Sequence, residues 1–204
     1  MAPGSIIAAA RRYAEQGFRP VPLYGVAPDG RCLCGSAECK PRDAGKHEPP
    51  ETDGLWKDGV GSPLSVFHDG MNIALAMGPQ PSGVWLVALD ADGPWDWSRL
   101  GPLPRTWTAK SPRGEHRLFR VPAFEPLGNW VDCFNNKPGP SLDLRYARGR
   151  IVVAPSRGAY GAYRWVDDAP PAELPRTALG AIYGARRARG LPILPRWSRG
   201  EKRA

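Results

Sequence analysis

Two carboxylates that follow an apolar run are the residues best placed for chemistry. Residues 84–89 are all apolar, and Asp90, Ala91, Asp92 and Gly93 follow them directly. Such a run is typical of a strand buried on both faces, and side chains two positions apart on a strand point to the same side. The repulsion between Asp90 and Asp92 would favour a bound Mg²⁺ or Mn²⁺. The simpler interpretation is that both acids solvate the strand end or cap the next turn.

A second group of metal-binding residue types lies nearer the start of the chain. Cys32, Cys34 and Cys39 fall within eight residues, and His47 follows eight positions later. Three thiolates and an imidazole in a loop rich in glycine and proline match the ligand set of tetrahedral zinc, although the spacing is not Cys-x-x-Cys. We predict a closed, structural Zn²⁺ site in a loop over about residues 30–50; free surface thiols are the alternative.

Residues 105–109 and 116–121 are predicted to form a β-hairpin. Its turn would gather a hydroxyl, an imidazole and two cationic side chains, which suit a polyphosphate. These residues are Lys110, Ser111, Arg113 and His116. The alternative for His116 is an ordinary structural role within its strand.

A third acid lies in a strand predicted over residues 141–146, where polar and apolar side chains alternate. Asp143 and Arg145 share its polar face. Residues 147–149 would turn the chain and residues 150–154 would return as the second strand of a hairpin. Asp143 is a candidate third metal ligand; it could equally pair with Arg145 or with an arginine of a neighbouring strand.

The elements needed to position these groups fit one domain of mixed α/β (α+β) class. The chain has 204 residues, of which 42% are hydrophobic, enough for a substantial core. Further strands are expected over residues 18–23, as an edge strand, and 71–77, with helices over residues 6–16 and 175–188. Because no apolar run is long enough to cross a membrane and no signal peptide is recognisable, we expect a cytoplasmic protein without a membrane partner.

The net charge of +8 is concentrated at the carboxyl end. Residues 186–204 contain seven basic residues and one acid, and therefore carry +6 of this charge. Such a basic segment suits an anionic partner such as nucleic acid. We expect residues 186–204 to form a tail that binds nucleic acid, or else a solvated linker to a further domain.

Taken in order, these motifs resemble the bifunctional primase–polymerase (prim-pol) domain of the archaeo-eukaryotic primase superfamily, found in phage, plasmid and bacterial replication proteins. The resemblance includes the Asp-x-Asp pair, the Ser…His hairpin, Asp143 and the Val-Val-Ala-Pro-Ser of residues 152–156. It also includes the Cys-x-Cys-Gly loop that ends in Gly-Lys-His. The chain departs from the family pattern at residues 112–115, Pro-Arg-Gly-Glu, where members often have a glycine pair before the histidine.

The resemblance implies a prim-pol catalytic domain over residues 1–185, with the zinc loop inserted and an RNA-recognition-motif-like sheet in its core. It implies template-directed nucleotidyl transfer in the cytoplasm of a bacterial cell or a phage-infected host. Asp90, Asp92 and Asp143 would hold two Mg²⁺ or Mn²⁺ ions. The residues expected to contact the nucleotide triphosphate are Ser111, His116, Lys110, Arg113 and Arg145. The implied partners are a single-stranded DNA template, a primer and nucleoside triphosphates, with a helicase domain or protein as a further candidate.

Two other functions remain open from the sequence. One is a non-catalytic, zinc-bearing DNA-binding module of a larger replicase. The other is a metal-dependent nuclease or rolling-circle initiator, although such initiators need a His-hydrophobe-His motif and the chain has no His-x-His.

Overall fold

The computed structural model describes residues 5–54 and 61–193, and these form a mixed α/β fold, as predicted. Its sheets are mostly antiparallel. The described residues form two α-helices, α1 (Ile6–Glu15) and α2 (Arg176–Ala188), together with twelve strands. The strands are β1 (Pro20–Leu23), β2 (Asn72–Ala76), β3 (Gly78–Pro79), β4 (Trp85–Asp92), β5 (Thr108–Lys110), β6 (Gly114–Val121), β7 (Ser141–Arg145), β8 (Arg150–Val152), β9 (Arg157–Gly158), β10 (Gly161–Ala162), β11 (Arg164–Asp167) and β12 (Ala172–Glu173).

The larger sheet is built around β4. Its seven strands include the path β11-β5-β6-β4-β3, while β12 pairs with β6 and β7 pairs with β4. All of these pairings are antiparallel except that of β12 with β6. The predicted hairpin is confirmed, because β5 and β6 pair with Ala109 opposite His116. β4 therefore has β6 on one side and β7 on the other along the part that carries its acids.

Alternate side chains of β4 enter two different hydrophobic cores, which confirms a strand buried on both faces. Val87 and Leu89 pack in a cluster that includes Leu179 of α2. Leu86 and Ala88 pack in a second cluster with residues of α1 and β2. Asp90 and Asp92 continue the row of Leu86 and Ala88 beyond the end of this second core.

The second sheet has the order β1-β2-β8. Within the described part of the chain, β1 pairs with β2 and with no other strand, so the predicted edge strand is confirmed. The predicted hairpin over residues 141–154 is wrong, because β7 pairs with β4 whereas β8 pairs with β2 in the other sheet. The reason is burial: Leu142 and Leu144 enter the core beneath α2, while Ile151 enters the core beneath α1. The chain thus passes from one sheet to the other at residues 146–149.

Both predicted helices are present. Ser5 caps α1, where its Oγ accepts a hydrogen bond from the backbone N–H of Ala8 at 3.3 Å. α2 covers one face of the larger sheet through Ala178, Leu179 and Ile182. In the described ranges, neither of these helices nor any shorter one has the length and apolar character required to cross a bilayer.

Candidate active site and metal-binding loop

Three predicted site residues lie side by side on three neighbouring strands. Asp90 of β4 is directly opposite His116 of β6 and, on its other side, directly opposite Asp143 of β7. Directly opposed residues point to the same face of a sheet. The structure thus brings Asp90, His116 and Asp143 into one row, and Asp92 lies in the next row, opposite Ser141 and Gly114.

Asp90 is surrounded by basic groups. Its Oδ1 lies 3.2 Å from Nε2 of His116, and its Oδ2 lies 3.7 Å from Nε of Arg145. Burial by itself raises the pKa of Asp90, but the positive charges of His116, Arg145 and Lys46 and the hydrogen bond with His116 outweigh it and lower the pKa to about 2. Asp90 is therefore an anion at neutral pH, and its side chain keeps 20% of its surface exposed for a ligand.

Asp143 is held more tightly by the protein. Its Oδ1 accepts a hydrogen bond from the backbone N–H of Asp132 at 2.7 Å, and its Oδ2 lies 2.7 Å from Nη2 of Arg145. Burial raises the pKa of Asp143, and its side chain is only 8% exposed. The ion pair with Arg145 considered from the sequence is thus present, and one guanidinium balances both Asp90 and Asp143.

The turn between β5 and β6 places Arg113 beside Asp92 and brings Ser111 to the same cavity. Oγ of Ser111 accepts a hydrogen bond from the N–H of Gly114 at 2.9 Å and closes the turn, while Nη2 of Arg113 lies 3.2 Å from Oδ1 of Asp92. A Cβ on Gly114 would overlap the backbone carbonyl of Ala91. Only glycine therefore allows β6 to approach β4 this closely next to the acids.

Lys110 is the predicted site residue that the structure does not bring to the others. Its Nζ lies 2.6 Å from Oε2 of Glu115, and the two residues are paired across β5 and β6. Glu115 is opposite Ala91, whose side chain belongs to the core under α2. Lys110 and Glu115 consequently lie on the face of the sheet opposite to His116 and Asp90.

A cavity of about 430 Å³ lies above this row, a volume suited to a small-molecule ligand. Asp90, Asp92, Ser111 and His116 are among its lining residues, whereas Asp143 and Lys110 are not. Among the described residues, six basic side chains line it against two acids, so its field favours an anion. The basic residues are Arg42, Lys46, Arg113, Arg145, Arg148 and Arg150.

Several of these lining residues were not identified as site residues from the sequence. Arg148 lies in the turn after β7 and Arg150 is the first residue of β8; the basic pair around Gly149 is the signal available in the sequence. Tyr160 lines the cavity from the β9–β10 hairpin and is 61% exposed. Lys46 comes from the Cys/His loop, and burial, followed by the charge of Arg113, lowers its pKa.

The four residues of the predicted zinc site do come together. Ligand atoms of Cys32, Cys34, Cys39 and His47 all lie within 4.8 Å of one another, and Sγ of Cys39 is 3.0 Å from Nε2 of His47. The backbone N–H of Gly45 donates to Sγ of Cys32 at 3.3 Å. Soft thiolates with an imidazole are a fitting donor set for a transition metal, so this loop forms a candidate metal-binding site.

The carboxylates form a looser arrangement than the Cys/His group. Across residues 5–54 and 61–193, that group is the one set of three or more His, Cys, Asp or Glu whose ligand atoms are mutually within 4.8 Å. Arg145 lies between Asp90 and Asp143, and Arg113 lies against Asp92. Asp90 and Asp92, both at the cavity and on one face, nevertheless offer the hard oxygen donors that suit Mg²⁺ or Mn²⁺.

Sequence comparison agrees with this geometry. Residues 10–177 match the family described as the N-terminal domain of bifunctional DNA primase/polymerase. The match covers more than half of the chain and includes all three acids, the hairpin with His116 and the Cys/His loop. No curated protein matches the chain. The chain belongs to the family of bifunctional DNA primase/polymerase N-terminal (Prim-Pol) domains.

Proposed function

We propose that this domain is a nucleotidyltransferase that joins nucleotides on a single-stranded DNA template by a two-metal mechanism, acting as a DNA primase, a DNA polymerase or both, in phage- or plasmid-type replication. Membership of the Prim-Pol family supports a primase/polymerase-type enzyme with DNA and nucleotide substrates. The observation that carries the proposal is the placement of Asp90 and Asp92 in a cavity otherwise dominated by cations.

The acids supply the metal-binding part of the proposed mechanism. Asp90 and Asp92 would hold two Mg²⁺ or Mn²⁺ ions, and Asp143 would complete their ligands. When bound, two such ions neutralise charge on the reacting phosphate and lower the pKa of the attacking 3′-hydroxyl. The low pKa of Asp90 keeps its carboxylate ionised throughout the neutral range, as ligation requires.

The cationic residues supply the anion-binding part. Arg113 and Arg145 can form charge-assisted hydrogen bonds with phosphate oxygens, and the hydroxyl of Ser111 is a further donor at the turn. His116 is buried, with Nε2 at Asp90 and with Nδ1 lacking a hydrogen-bond partner in the described structure. We assign it to the triphosphate together with Ser111, and we assign Tyr160 to stacking against a nucleobase.

The Cys/His group has a different role in this proposal. Four protein ligands fill a tetrahedral zinc shell and leave no open position for a substrate. We therefore propose that Cys32, Cys34, Cys39 and His47 bind one structural Zn²⁺. The metal would stabilise a loop that has little regular structure, in which the 3-10 turn Pro41–Asp43 lies between Cys39 and His47.

A primer-extension assay tests the proposal. Extension of a labelled primer on a single-stranded template should require Mg²⁺ or Mn²⁺, and Asp90→Asn and Asp92→Asn should each reduce it about 100-fold or more. Asp168→Asn, which changes an exposed acid outside the cavity, is the matched control and should extend normally. DNA binding without incorporation by the wild-type protein would identify a non-catalytic module, and metal-dependent cleavage would identify a nuclease.

A further inference from the structure

We infer that Lys46 binds the phosphates of the incoming nucleotide and that the Cys/His metal site holds it in place, so that metal occupancy of this loop sets the affinity for the nucleotide. The inference rests on the proposed function. The inference also extends the proposed function, because it assigns a substrate-binding role to a loop that would otherwise be purely structural.

Lys46 lies between two sites. It lines the cavity that contains Asp90 and Asp92, and its neighbour His47 belongs to the Cys/His group. Successive residues of one short segment therefore face the cavity and the metal site, so we expect a rearrangement of the metal ligands to displace the lysine.

The charge of Lys46 is available to a ligand. In the described ranges it forms no salt bridge, although its charge interacts with those of Asp90, Asp92 and Asp43. Arg113 and Arg145, by contrast, each pair with an acid of the site. An ammonium in a cavity without a carboxylate partner is a ready donor to a phosphate oxygen.

Hydrogen bonds fix the backbone on both sides of Lys46. The N–H of Lys46 donates to the carbonyl of Asp43 at 3.1 Å, and its carbonyl accepts from Nη2 of Arg150 at 2.9 Å. The carbonyl of Gly45 accepts from Nδ2 of Asn72 at 3.0 Å. The carbonyl of His47 accepts from the N–H of Tyr24 at 2.8 Å. These contacts tie the segment to the central strand β2 and to the cavity wall.

The metal site supplies the remaining restraint. Gly45 donates to Sγ of Cys32, and a Cβ at Gly45 would overlap Asn72, so the segment passes tightly between the thiols and β2. When no metal is bound, three thiol groups and one imidazole retain only weak mutual contacts. We therefore expect loss of the metal to release Lys46 from its position and to weaken nucleotide binding as much as loss of the lysine itself.

The test is equilibrium binding of a fluorescent deoxynucleoside triphosphate with Mg²⁺ and without template. Lys46→Ala should raise Kd about 10- to 100-fold, in the range of one lost hydrogen bond to a charged group, and Lys46→Arg should recover most of the affinity. The loss should be smaller for the corresponding monophosphate. Lys40→Ala, which removes an exposed cation of the same loop outside the cavity, is the control and should bind normally.

A second arm removes the metal. The Cys34→Ser/Cys39→Ser variant, checked for metal by elemental analysis and for folding by circular dichroism, should show the same loss of affinity. Adding Lys46→Ala to it should change Kd less than about twofold. Wild-type protein stripped of metal by prolonged chelation, with the loss of metal verified by elemental analysis, provides the same comparison without a substitution.

The outcomes separate this inference from the proposed function. Wild-type extension of primers together with unchanged triphosphate binding by Lys46→Ala overturns the inference alone. Full affinity in metal-free protein overturns the role of the metal site. A wild-type protein that neither binds triphosphate nor extends primers overturns the proposed function and the inference with it.

Discussion

Asp90 and His116 are directly opposite each other on β4 and β6, with Oδ1 of the acid 3.2 Å from Nε2 of the histidine. A buried carboxylate next to an imidazole and the Arg145 guanidinium is stabilised as an anion, which is why the pKa of Asp90 falls to about 2 despite its burial. This pairing gives the acid a measurable effect on stability as well as a place in the proposed metal site.

The first prediction concerns acid stability. In the unfolded chain the pKa of Asp90 is 3.8, so the carboxylate takes up a proton near pH 3.8. In the folded protein the pKa is lowered to about 2, so the carboxylate remains ionised down to about pH 2. Its ionisation therefore contributes stability above pH 3.8, and this contribution is lost as the pH falls towards 2. Asp90→Asn should show a free energy of unfolding that decreases less steeply across this interval, measured by denaturant titration at several pH values. Parallel pH profiles for the variant and the wild type would contradict the assignment.

Two substitutions separate the structural role of Asp143 from its proposed role as a metal ligand. Asp143→Ala removes the acceptor for the buried N–H of Asp132 and the partner of Arg145, and should cost roughly 1–3 kcal/mol of stability. Asp143→Asn keeps an oxygen for that N–H, so it should fold with a smaller loss. If Asp143 is a metal ligand, the asparagine variant should still lose about 100-fold in primer extension. Normal extension by this variant would leave Asp143 with the ion pair alone.

Local pattern was sufficient to predict much of the site. The apolar run before Asp90, the alternation around Asp143 and the turn signals of residues 111–114 depend on side-chain period and turn chemistry, which neighbouring residues determine. The position of Lys110 on the opposite face could also be predicted from the sequence. Alternation along β5 and β6 puts it one residue out of step with His116, and hence on the other face.

Other features of the fold and of the candidate site depend on contacts between segments that are distant in the sequence. The alternation of residues 141–154 fits a hairpin as well as two strands in separate sheets, and only burial of Ile151 beneath α1 distinguishes them. Lys46 and Tyr160 reach the cavity from loops separated from β4 by many residues. Local side-chain periodicity does not indicate which distant loops reach the cavity. The sequence alone therefore did not connect the Cys/His loop with the acids.

The metal content of the Cys/His loop is directly measurable. We predict one zinc per chain after chelator washing, determined by elemental analysis, and none in the Cys32→Ser/Cys39→Ser variant. At free zinc about 100-fold above Kd, bound metal should stabilise the fold by about 3 kcal/mol, visible as a higher melting temperature. Cys133→Ser is the control thiol, because Cys133 is buried away from the loop in the core beneath α2. Zinc retained by the double variant would exclude this ligand set.

The aromatic ring of Tyr160 should contribute to the binding of nucleotide or template. It is exposed at the cavity between β9 and β10, where a base can stack on it. Tyr160→Ala should raise the KM for nucleotide or template about 5- to 150-fold with little change in kcat, because base–aromatic stacking is worth about 1–3 kcal/mol. Tyr160→Phe should behave as the wild type. Phe124→Ala, at another exposed aromatic outside the cavity, is the control. An unchanged KM in Tyr160→Ala would exclude stacking.

The last prediction concerns the basic carboxyl end, and the structure alters how it should be tested. Residues 194–204 lie outside the described part of the chain, but Arg186 and Arg189 do not behave as a tail. The Arg186 guanidinium lies 4.0 Å from the Trp130 ring centroid, and Nη1 of Arg189 donates to the carbonyl of Asp132 at 2.6 Å. Deleting residues from 186 onward would therefore damage the fold, whereas a deletion that begins at residue 194 preserves these contacts.

That shorter deletion removes four basic residues, one acid and Trp197. Each phosphate contact on a single strand contributes about −0.7 to the slope of log K against log salt, so the deletion should flatten the slope by at most about three units. We expect weaker DNA binding at low salt and an unchanged maximal extension rate at saturating template. Replacing the four basic residues with glutamine in the full-length chain is the matched control, since it removes charge without changing length. An unchanged salt slope in both proteins would identify residues 194–204 as a linker, and a lost maximal rate would place them in the catalytic fold.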